Sequence, residues 1–116
     1  MTSRPSPARR RAALARIAEI RDRIRTFERL CSGSLLRRTK VCGKPGCRCA
    51  DEPAARHGPY YEWGRMKSGR LVHRVVSPAQ AALLRDAIAN YRSLRRLLRT
   101  WENETVKLIE AETDDT

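Results

Sequence analysis

The segment Cys42-Gly43-Lys44-Pro45-Gly46-Cys47-Arg48-Cys49 puts three thiols within eight residues. Two glycines and a proline between them let the backbone curl tightly. Free thiols in a Gly-rich turn would leave that crowding without a purpose, and disulfides belong to oxidising compartments. A metal ion held by thiolates needs such crowding. Zinc takes four soft or borderline donors in a tetrahedron, and three Cys with one His is among its common structural sets. His57, on the Gly-Pro-containing segment that follows, supplies the fourth donor. The expected site is therefore Zn2+ on Cys42, Cys47, Cys49 and His57. His73 is the rival fourth ligand, but it falls in the middle of a predicted strand, whereas His57 lies on the loop that returns to it. An iron–sulfur cluster would usually ask for a fourth Cys, and Cys31 falls on a predicted helix. Lys44 and Arg48 beside the thiols favour the thiolate forms.

The chain has 116 residues, one domain's worth, and only 5% of them are aromatic. A core that modest is helped by a metal staple. Apolar residues gather in two helical stripes. Ala13, Ile17, Ile20, Ile24, Phe27 and Cys31 step by fours and threes, widened by Leu14 and Leu30, and predict a helix over 8–31 that stops before Gly33. Cys31 then sits on the buried stripe as a small apolar residue. The second stripe runs Leu84, Ala87, Tyr91, Leu94, Leu98, Trp101, Thr105 and Leu108, a heptad step that predicts a helix over 78–112. Ser77, Pro78 and Gln80 give it an N-cap, a proline at the first helical position and a capping box.

Between the helices, residues 34–76 form a β and zinc module. Leu35 to Val41 reads as one strand, and Tyr60 to Met66 with Leu71 to Val76 as a hairpin turning at Lys67, Ser68 and Gly69. The fold class expected is α+β: long N- and C-terminal helices packed as a coiled-coil-like pair, with a small antiparallel β-sheet and the zinc loop between them. Residues 8–112 make a single domain, preceded by a disordered basic arm over 1–7 and followed by an acidic tail over 113–116.

Net charge is +12, and it is lopsided. Residues 1–50 carry +11, residues 51–76 carry +2 and residues 77–116 carry −1. A positive field of this size attracts polyanions, of which nucleic acid is the most abundant in a cell. No run of about 18 apolar residues exists to span a membrane. The basic N-terminus leads into a stretch interrupted by Arg16 and Glu19, unlike a signal peptide, so a cytoplasmic location is expected.

With CGKPGCRCA at 42–50, HGPYY at 57–61 and SPAQAALLRDAIANYRSLRRLL at 77–98, the chain resembles a family of short bacterial proteins of unassigned function. The resemblance covers roughly residues 33–100. It implies zinc binding and a setting near transposases and other mobile elements, and it implies no biochemical activity.

The expected function is that of a zinc-stabilised, basic nucleic-acid-binding protein, on DNA more than RNA, serving as an accessory factor of a mobile element or DNA transaction. Arg9, Arg16 and Arg23 recur at seven residues along the first helix, Arg10 and Arg11 lie beside them, and Arg37, Arg38, Lys40, Lys44 and Arg48 continue the basic run to the cysteines. Tyr60 stands where it could stack on a base. The alternative is a coiled-coil assembly subunit whose heptads bind a recombinase, a transposase or a second copy of the chain. No catalysis is expected, because four protein ligands leave a zinc ion no open position and the sequence offers no Ser-His-Asp set.

Overall fold

The computed structural model describes residues 7–112, so the N-terminal arm before Pro7 and the acidic tail lie outside the described residues. The element order is helix α1 (Pro7–Ile24), strands β1 (Ser34–Lys40), β2 (His57–Lys67) and β3 (Arg70–Val76), and helix α2 (Pro78–Glu112), with two short 3-10 turns between β1 and β2. Two helices thus flank a three-stranded antiparallel sheet of order β1-β2-β3.

Helix α2 begins where its cap predicts. The Gln80 N–H donates to Ser77 Oγ at 3.1 Å, and the Ser77 N–H donates to Gln80 Oε1 at 3.0 Å, a reciprocal capping box. The hairpin also turns as expected. Lys67 pairs with Arg70 across a two-residue loop in which Ser68 (φ 51°) and Gly69 (φ 78°) are both left-handed. That combination matches the twist of the flanking strands.

Helix α1 is shorter than its apolar stripe predicts and ends at Ile24, not at Cys31. Its last bonds tighten from Arg25 N–H on Arg21 O to Thr26 N–H on Arg23 O and Phe27 N–H on Ile24 O. Thr26 Oγ1 donates to the same Arg23 carbonyl at 2.7 Å, a local competitor of the helical ladder. The chain beyond finds partners outside the helix: Asn90 Nδ2 donates to Arg29 O, and the Cys31 N–H donates to Ala87 O. Cys31 is accordingly not on a helix stripe. It is half-buried against the core beneath the sheet.

The described residues gather into two compact units, one formed by residues 7–30 with 90–112, the other by Cys31–Ala89. Helix α2 runs through both. At 35 residues it is about 50 Å long, more than one small core can cover.

In the unit Cys31–Ala89, Trp63 and Val76 of the sheet pack on Ala81 and Ile88 of α2, with Cys31, Leu35, Tyr61 and Leu84 around them. Trp63 anchors this core. Its indole N–H donates to Ser32 O at 3.0 Å, and the Arg65 guanidinium lies 4.2 Å from its ring centroid. Gly33, at φ 107°, passes so close to Trp63 and Gly64 that a Cβ there would collide with the Gly64 carbonyl. On the opposite face of the sheet, Glu62 pairs with Arg38 and His73, each at 3.5 Å.

In the other unit, α1 buries Ala13 and Ile20. Arg10 meets Glu112 at 3.3 Å and Arg16 meets Glu104 at 3.9 Å, so α1 and the last half of α2 run antiparallel. Glu104 is buried and also accepts from Lys107 at 3.2 Å. The apolar stripes are only partly covered: Leu14 of α1 and Leu98 of α2 stay exposed, as do Val106 and Ile109 beside the heptad positions.

Candidate metal centre

The sheet delivers His57 to the cysteine loop. Lys40, the last residue of β1, is the register partner of His57, the first of β2, after a bulge between Arg38 and Lys40. The loop that leaves β1 must therefore come back within one strand spacing of where it began. Gly43 (φ 75°) and Gly46 (φ 78°) take left-handed conformations that turn the chain between Cys42 and Cys47. The Cys47 N–H donates to Lys44 O, closing the turn, and a 3-10 turn over Arg48–Ala50 carries Cys49 inward. Arg48 grips Glu52 at 3.0 Å across the next turn. A second 3-10 turn, Pro53–Ala55, leads into His57.

The four expected donors converge. One ligand atom from each of Cys42, Cys47, Cys49 and His57 lies within 4.8 Å of all the others. Cys42 and Cys49 bring their sulfurs to 3.5 Å, and Cys47 Sγ lies 3.4 Å from His57 Nε2. Around a tetrahedral ion with bonds of about 2.3 Å to sulfur, two sulfurs stand about 3.7 Å apart. The donor set and its spacing thus fit a metal ion of that size. His73, the rival ligand, is held by Glu62 on the open face of the sheet and takes no part.

The cluster also has a built electrostatic gradient. Cys49 is 1% exposed, whereas Cys42 and His57 are exposed and Cys47 is intermediate. The backbone N–H of Cys49, then the Cys49 and Cys42 thiols, lower the pKa of Cys47 against a small opposing effect of burial. At Cys49 the Cys42 N–H, donated to its sulfur at 3.3 Å, pulls the pKa down. Burial and the neighbouring thiols outweigh it, and the Cys49 thiol is pushed up. A bound cation would supply what Cys49 lacks, a positive charge that favours its thiolate.

Outside the ligands, a cleft of about 520 Å³ opens beside Cys42, Cys47 and His57, with Lys40, Lys44 and Tyr60 on its wall. The Lys40 ammonium lies 5.3 Å from the Tyr60 ring centroid, a cation–π arrangement. The remaining basic residues divide. Arg10, Arg16, Arg38 and Arg48 face Glu112, Glu104, Glu62 and Glu52; the pairs to Glu112 and Glu52 are exposed on both sides, and such pairs are weak and exchangeable. Arg11, Arg23, Arg37 and Lys44 are exposed and enter no ion pair among the described residues. Sequence reasoning missed Glu62, whose role depends on cross-strand register; the alternation of β2 places it opposite Trp63 and is the one signal for it.

Fold and site together define a small protein in which two helices flank an antiparallel sheet and a three-Cys, one-His cluster lies between its first two strands. The profile of a domain of unknown function, DUF6788, matches residues 9–86, and the chain belongs to that family. The match agrees with the unassigned-function character that the motifs imply. No curated protein and no solved structure matches the chain.

Proposed function

We propose that this protein is a zinc-stabilised nucleic-acid-binding protein, on DNA more than RNA, acting as an accessory factor in a DNA transaction such as that of a mobile element. The observation that carries the reading is the set of exposed basic residues that enter no ion pair among the described residues, Arg37 and Lys44 near the metal loop and, in the other unit, Arg11 and Arg23 on α1, within a chain of net charge +12. Guanidinium and ammonium groups free of internal partners are available to phosphates. The metal is zinc because three thiolates and an imidazole suit it and fill its tetrahedron, which makes the centre a structural staple and not a reaction site. Tyr60 and Lys40 at the mouth of the cleft offer a ring and a charge to an unstacked nucleotide.

Two measurements test this reading. Elemental analysis of protein purified without added metal should give about one zinc per chain. The pair Cys47→Ser and Cys49→Ser should abolish it, His57→Ala should weaken it, and His73→Ala should leave it intact. Full zinc content in the double-serine variant would overturn the ligand set. Affinity for a DNA duplex or single strand should fall steeply between about 50 and 200 mM salt. Replacing Arg37, Lys40 and Lys44 by Gln should flatten the log–log salt slope by up to about three units. Absence of affinity for any nucleic acid at low salt would overturn the function and leave the basic surface to an acidic protein partner.

A further inference from the structure

Helix α2 carries two apolar sides along its last half. One, around Leu97, Glu104 and Leu108, is the more buried. The other is turned from it by roughly a quarter of the helix circumference, at 100° per residue. It comprises Tyr91, Leu98, Thr105, Val106 and Ile109, and it is open: Leu98, Val106 and Ile109 are 43%, 51% and 54% exposed. A groove of about 690 Å³ runs along it between Leu98, Trp101, Glu102, Thr105 and Val106. Isolated exposed apolar residues are ordinary, but a continuous apolar stripe on a long helix marks an interaction surface.

The charges along the stripe select its occupant. Arg95 lies within it, and Glu102 lies seven residues, two turns, further on the same side. Arg92 and Arg99 border its first part and Glu110 borders its last part. Among the described residues none of these five enters an ion pair. Arg95 and Glu102, of opposite sign and two turns apart on this side, are complementary to the same pair reversed. We infer that it is an isologous interface in which α2 of one chain packs antiparallel on α2 of a second copy, about a two-fold axis near Leu98 and Arg99. In that register Arg95 of each chain meets Glu102 of the other, and Tyr91 meets Val106. A parallel pairing sets arginine on arginine and glutamate on glutamate, which costs association. The inference uses neither the metal site nor the nucleic-acid surface.

Sedimentation equilibrium on the full-length, zinc-loaded chain tests it. Wild-type protein should be a dimer. Arg95→Glu and Glu102→Arg, each placing like charges in both symmetry-related contacts, should each weaken dimerisation by about tenfold or more. The chain carrying both changes restores both pairs and should dimerise as the wild type does. Val106→Glu, at an exposed position whose side chain the monomer does not bury, should give a monomer with unchanged helical circular dichroism. A wild-type monomer at all concentrations, or a dimer indifferent to Val106→Glu, overturns the inference. A double charge variant that fails to recover overturns the antiparallel register. Should α2 associate only with a different protein, the second copy is excluded as its occupant.

Discussion

At the scale of the residue, the cysteine cluster is four groups in unequal surroundings. Cys47 lies near the surface, with N–H and thiol donors that lower its pKa, while Cys49 is buried and raised. In metal-free, reduced protein, Cys47 should therefore lose its proton at a lower pH than Cys49, because hydrogen bonds to the thiolate stabilise the charged form and burial opposes it. Alkylation with iodoacetamide across a pH series, mapped by mass spectrometry, should label Cys47 first and extend to Cys49 only at higher pH. Zinc should protect both. Preferential labelling of Cys49 would contradict the arrangement of donors around these sulfurs. All four members of the cluster were readable in the sequence, since thiol spacing is a local property of a short loop. The exclusion of His73 was not certain there. It rests on register: His73 pairs with Gly64, well along β2 from His57, a placement that no spacing along the chain records.

The elements differ in how much of their cause is local. Helix α2 starts at a reciprocal cap between Ser77 and Gln80, and every group involved lies within one turn. Ser77→Ala should cost about 1 kcal/mol of stability, the usual worth of a lost N-cap, measurable by urea denaturation. Loss of less than a few tenths would mean that the start of α2 is held by the core around Ala81 instead. The hairpin of β2 and β3 is equally local, because Ser68 and Gly69 meet the backbone demand of its turn. The end of α1 is local only in part, where Thr26 competes for the Arg23 carbonyl. Ile24, Phe27 and Cys31 keep a helical step, yet the chain leaves the helix after Ile24 because Asn90 and Ala87 of α2 provide for the backbone of Arg29 and Cys31. Nothing within residues 24–31 announces those partners.

For the molecule as a whole, the cysteine loop and the helices draw on different sources of order. Between Val41 and His57 only Cys49 is buried, so this loop has almost no apolar core of its own, and a metal on its four donors would be its staple. Helix α1 and the last half of α2 draw instead on Ala13, Ile20 and the ion pairs to Glu104 and Glu112. Chelation of zinc should thus destroy the order of the loop while most of the helical signal at about 222 nm survives, where peptide groups of helices absorb. Amide hydrogen exchange before and after chelation should show protection lost over residues 41–57 and retained in α1 and α2. A collapse of the helical signal on chelation would show that the metal site and the helices fold as one cooperative unit.

What the sequence by itself determined were the features whose causes are short-range: the four-donor cluster, the three strands and their hairpin, the capped start of α2 and the lopsided charge. Each follows from residues within a few turns or one loop of each other. Tertiary structure alone decided where α1 stops, that Cys31 packs beneath the sheet, how the described residues gather into two compact units, and that α2 leaves one apolar side uncovered. Those outcomes turn on which distant backbone groups and side chains are within reach. A heptad pattern records that a helix has apolar sides and cannot record which neighbour, in this chain or another, comes to cover them.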